Sequence, residues 1–111
     1  MQNHELTYAD EKFRSAIYTL AVGSGRIKER LSDAAEIALR AYPPDDIPLP
    51  VAERIRLLNA RLTRAAAEAH EDEGTVDATI RLMSEDDAAD IAREIYEISS
   101  ELEDEDRSQA K

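Results

Sequence analysis

A chain of 111 residues has room for one hydrophobic core and not for two, and with 42% apolar residues, 35% charged residues and three glycines it is composed for helix rather than for a sandwich or barrel. The lack of cysteine excludes a disulfide framework, a thiolate metal site and a cysteine nucleophile, and no stretch approaches the roughly 20 apolar residues of a membrane span, so a cytoplasmic protein is expected. The net charge of −11 is concentrated in residues 84–106, which hold eleven acids against Arg93 alone; this argues against direct binding to nucleic acid or an anionic membrane and for a protein partner with a basic surface.

The apolar positions Phe13, Ile17, Leu20 and Ala21 recur at helical spacing and predict a first helix from Tyr8 to Val22, with Asp10 and Glu11 in its first turn. Gly23 is expected to close it in a left-handed conformation, and Ser24 to cap the next helix. Because Gly23-Ser24-Gly25-Arg26 has neither the Walker ending nor the nucleophile-elbow spacing, turn chemistry accounts for it. A second helix runs from about Arg26 to Tyr42, with Ile27, Leu31, Ala34, Ala35, Ala38 and Tyr42 on one face, and Pro43-Pro44 stops it. The connector up to Leu49 is expected to turn Ile47 and Leu49 inward, and the tyrosines to sit at the edge of the core.

Pro50 suits the first position of a third helix, since its missing N–H costs nothing there. Val51, Ile55, Leu58, Leu62, Ala65, Ala66 and Ala69 then mark an apolar stripe over five turns, beside Arg54, Arg56, Arg61 and Arg64. Thr75 is placed to cap a short fourth helix that turns Val76, Ile80 and Met83 inward, and Ser84 to Asp87 resembles a capping box that starts a fifth. In the fifth helix Ala88, Ile91, Ile95, Ile98 and Leu102 form a narrow seam, and Asp87, Asp90, Glu94, Glu97 and Glu101 form an acidic stripe beside it. No apolar anchor follows Leu102. The expected architecture is an all-α, compact four- to five-helix bundle over residues 1–103 with a disordered acidic tail over 104–111, its acidic fifth helix packed on its arginine-rich third.

These patterns imply a non-enzymatic protein-interaction module, with Asp87, Asp90, Glu94, Glu97, Glu101, Ile91, Ile95 and Ile98 as the partner-binding residues. A solvated acidic face is the plainer reading of the stripe, and a narrow Ile seam also offers a homodimer contact. The alternative is an inhibitor that mimics nucleic-acid charge and occupies a basic protein groove through the helix over 84–102. Neither histidine stands in a Glu-x-x-His pair, so no metal or cofactor is expected.

Arg64 and His70 have an Arg-x5-His spacing that resembles the pair in HEPN ribonucleases, small helical bundles that cleave RNA without metal across a dimer interface. The resemblance implies His70 as acid or base and Arg64 holding the scissile phosphate. It covers two residues and the domain size; Ala65 departs from the family's polar residue, and Glu68, Glu71, Asp72 and Glu73 would repel RNA. A surface arginine and a histidine on a helix C-terminal dipole is the alternative for the same two residues.

Overall fold

Five helices follow one another without a strand among residues 3–109, which the computed structural model describes. They are α1 (His4–Val22), α2 (Ile27–Ala38), α3 (Leu49–Thr63), α4 (Thr75–Leu82) and α5 (Glu85–Gln109), with short 3-10 turns over Leu39–Ala41 and Ala66–Glu68. Helix α1 packs against α2 and α5, α5 also covers α2 and α3, and α4 sits between α2 and α3. No helix among the described residues is long and apolar enough to cross a membrane.

The core forms because each helix contributes one stripe. Leu6, Ala9, Phe13 and Ala16 of α1 meet the small residues Ala34, Ala35 and Ala38 of α2, which let the two backbones approach closely, with Leu31 filling the remaining space. Ile55, Leu58 and Leu62 of α3 and Ile91, Ile95, Ile98 and Leu102 of α5 join the same core, and all seven are buried. Side chains of this size contribute roughly 1.5–3 kcal/mol each on full burial, and they dominate the stabilisation. The isoleucine seam of α5 is thus filled from within the chain, and no second subunit is needed to cover it.

Several boundaries differ from the sequence reading. Helix α1 begins four residues before Tyr8, because Asn3 caps it by accepting the Leu6 N–H at 3.1 Å and Leu6 extends the buried stripe by two turns. Gly23 is extended, its N–H donating to the Thr19 carbonyl at 2.9 Å, and the left-handed residue is Gly25, at φ 91°. The N-cap of α2 is then Arg26 rather than Ser24, with the Glu29 carboxylate accepting the Arg26 N–H at 3.5 Å. A Cβ added at Gly25 would lie 2.5 Å from the Glu29 carboxylate, so Gly25→Ala is expected to cost about 1–2 kcal/mol, read as a lowered urea midpoint at constant slope.

The inward placement expected for Leu49 is corrected: it is 69% exposed as the first residue of α3, while Ile47 and Pro44 hold the connector to the core. The tyrosines Tyr8, Tyr18, Tyr42 and Tyr96 are all exposed rather than at the core edge. Helix α3 stops at Thr63, short of the expected Ala69, because the Thr79 hydroxyl of α4 accepts the Ala65 N–H at 3.1 Å and turns the chain away. Gly74, not Thr75, is the N-cap of α4.

The disordered tail is also corrected. Helix α5 continues through Gln109: the Thr7 hydroxyl donates to Asp106 at 2.9 Å, and Arg107 pairs with Glu103 and Asp104 at 3.5 and 3.0 Å, so residues 104–109 have the partners that composition alone did not reveal. The remainder of that expected segment, Ala110 and Lys111, lies outside the described residues. At the other end of α5, Ser84 accepts the Asp87 N–H at 3.0 Å, the capping half of the expected box. Ser84→Ala is expected to cost about 1 kcal/mol, measurable as a fall in thermal midpoint.

Candidate interaction surface

Helices α3 and α5 build the most chemically distinctive face of the molecule. They run antiparallel, and Arg54 on α3 reaches three carboxylates on successive turns of α5: its Nε donates to Glu94 at 3.0 Å, its Nη2 to Glu94 at 2.7 Å and to Glu97 at 3.0 Å, and its Nη1 to Glu101. Hydrogen bonding to Glu94, opposed by partial burial and reinforced by Glu101 and Glu97, raises the Arg54 pKa above its ordinary value. Only a guanidinium presents donors in a planar fork wide enough for this. The charge pairing of α5 with α3 is therefore made by one arginine, which holds Glu94, Glu97 and Glu101 toward α3 over that length.

Of the stripe, Asp87 and Asp90 are not engaged by Arg54; Asp90 takes an ion pair from Arg93 at 3.1 Å, and Asp87 lines a small cavity of about 80 Å³ with Arg61, Arg64, Met83 and Ile91. Ile91, Ile95 and Ile98 are buried inside the chain. Arg61 and Arg64 also border an open groove of about 390 Å³, with Leu57, Leu58, Ala60 and Glu94. Leu57 is 64% exposed there, and among the described residues no carboxylate lies within ion-pairing distance of Arg61 or Arg64.

Leu57 escaped the sequence reading as a surface residue, although the signal was present. It lies outside the buried stripe of Ile55, Leu58 and Leu62, next to a leucine that belongs to it, and a helix cannot point both leucines inward.

Arg64 and His70 are separated by the end of α3 and the 3-10 turn. Arg64 is the C-cap of α3, whereas the His70 side chain is 71% exposed in the loop, 3.9 Å from Glu73, so His70 does not lie on the α3 dipole as expected. That loop is organised by Arg81 instead, which forks onto Glu73 at 2.9 and 3.0 Å and reaches the Glu68 carbonyl at 3.1 Å. Arg81, helped by the His70 N–H, pulls the Glu73 carboxyl down to about 2. The stability this fork supplies is present above the ordinary Glu range and is lost as pH falls toward 2.

A second polar cluster lies where α1 meets the end of α5. Asp10 is 2% exposed; its Oδ2 accepts from Arg14 at 2.7 Å, and no donor among the described residues reaches its Oδ1. Burial, then hydrogen bonding to Asp106, push Asp10 up to about 6 against the pull of Arg14, with the charges of Asp106 and Glu103 adding to the rise.

Comparison of the chain with protein-family models, with curated proteins and with solved structures returns no match, so the functional reading rests on this geometry.

Proposed function

We propose that the protein is a non-enzymatic interaction module that engages a protein partner through the outward face of α3, beside the first half of α5. The observation that carries this reading is the exposed Leu57 in a groove with two arginines, Arg61 and Arg64, that have no carboxylate within ion-pairing distance among the described residues. An apolar anchor flanked by such arginines is the composition of contact centres, where large apolar side chains and Arg carry most of the binding energy. The engagement of Glu94, Glu97 and Glu101 by Arg54 moves the proposed contact from the acidic stripe to α3.

The test is capture from native lysate at low and high salt by the wild type and by Leu57→Asp, with Asp33→Lys, a change on the exposed side of α2, as control. Loss of the captured partner by about tenfold or more in Leu57→Asp alone is expected, as for the truncation of a contact centre. Identical capture by all three proteins would exclude this face.

A further inference from the structure

Along the outward side of α3, Glu53, Leu57 and Arg61 stand at i, i+4 and i+8, on one face and one above the next. All three are exposed. The order is acid, apolar, base, with the apolar residue at the centre of equal spacings. Such a row has a particular symmetry: laid antiparallel on a copy of itself, it sets the apolar residue on its own equivalent and each acid opposite a base. An isologous two-fold contact demands this self-complementarity, because the same patch must serve both sides.

We infer that the occupant of the α3 face is a second copy of this chain, the two α3 helices crossing antiparallel at Leu57 so that Glu53 meets the partner's Arg61 and Arg61 meets the partner's Glu53. This rests on the reading of the α3 face as an interaction surface and names its partner.

Three features of α3 support a copy rather than a different chain. The charge order on α3 is already complementary to itself, so no second sequence has to supply the match. Ala60, exposed on the turn beside Leu57, leaves room for a helix to approach, and the groove that Leu57 borders has space for the partner's Leu57. Among the described residues Glu53 is held only by Arg56, one turn away at 2.9 Å on an exposed surface, a pair that an interface can replace at little cost. Glu94, the carboxylate that lines the groove, adds no opposing demand, since it is already held by Arg54.

A contact of one helix pair is smaller than a standard interface, and copies of net charge −11 repel at long range, so association is expected at about 100 µM in physiological salt rather than at nanomolar concentration. Sedimentation equilibrium of the full chain from roughly 10 µM to about 1 mM covers that range. The wild type is expected to pass from monomer to dimer. Glu53→Arg and Arg61→Glu, each at an exposed position and each checked for unchanged helicity, are expected to weaken association at least tenfold alone, by placing like charges face to face twice. Mixed together, the two variants are expected to form a one-to-one heterodimer at least as tight as the wild-type dimer.

A wild type that stays monomeric to the top of the range overturns the inference. So does a dimer indifferent to both substitutions, or a mixture that fails to pair. A monomeric wild type whose lysate capture still depends on Leu57 removes the self-pairing and leaves the interaction reading standing with a different partner; loss of both removes the two together.

Discussion

Asp10→Asn is expected to stabilise the protein by about 2–3 kcal/mol at pH 7.5 and to change its stability little at pH 4. The carboxyl is buried where α1 meets α5, with Asp106 and Glu103 facing it from α5 and Arg14 on its own helix. Its pKa is about 6 in the folded chain against an ordinary 3.8, so between those values the folded state holds a proton that the unfolded state has released. Stability contributed by protonated Asp10 is therefore fully present below about 4 and lost as pH rises through 6. Ionised, Asp10 keeps Arg14 but leaves Oδ1 without a donor; protonated, it can donate to Asp106. Asparagine carries a donor at every pH and no charge, and so imitates the protonated form.

The measurement is urea unfolding of both proteins from pH 4 to pH 8, taken as a difference so that carboxylates shared by the two, including Glu73 with its opposite sign, cancel. The gap should open between pH 4 and 7. Parallel profiles would show that Asp10 ionises as freely in the folded chain as in the unfolded one. Because Thr7, one turn before Asp10, bonds to Asp106, amide exchange over residues 103–109 should quicken in the wild type as Asp10 ionises, and less so in Asp10→Asn.

How far the sequence carried these conclusions depends on the range of the interaction involved. The helices and their buried stripes were legible because 3.6-residue periodicity is a local signal, and the α3 to α5 packing was legible because arginines and carboxylates segregate onto different segments. Helix ends were not, wherever a distant residue decides them: α3 looks able to continue through the alanines from Ala65 to Ala69, all strong helix formers, until the Thr79 hydroxyl takes the Ala65 N–H. Gly23 and Gly25 are interchangeable in a pattern, and only the route of the chain past Glu29 puts the positive φ on the second. Asp10 reads as an ordinary first-turn acid, and its burial follows from α1 starting earlier and α5 running longer than the apolar repeat indicates. The acidic stripe is legible as a row of side chains beside the seam, but its division is not: Arg54 engages Glu94, Glu97 and Glu101, whereas Asp87 and Asp90 stay exposed. No local pattern says that one arginine across the interface reaches three of its members.

That arginine sets the second large effect. Arg54→Ala is expected to cost about 2 kcal/mol, more than the ~0–1 kcal/mol of an exposed pair and less than the roughly 3–5 kcal/mol of breaking a fully buried one, since Arg54 keeps 29% of its side chain in solvent. The cost has two sources that salt separates. Loss of the fork leaves Glu94, Glu97 and Glu101 unneutralised on adjacent turns of α5, where they repel one another; this part should shrink in 1 M salt, at which the screening length is about 3 Å. Loss of the arginine stem from the α3 to α5 seam should persist at any ionic strength. Arg54→Lys is expected to recover the first part incompletely, because an ammonium can sit beside one or two of the carboxylates but cannot fork onto Glu94 while reaching Glu97 and Glu101. Urea unfolding of the three proteins at low and high salt measures both parts. A deficit below about 0.5 kcal/mol, or one that salt leaves untouched, would mean that α5 is held on α3 by apolar packing alone and that the fork follows from that packing without contributing to it.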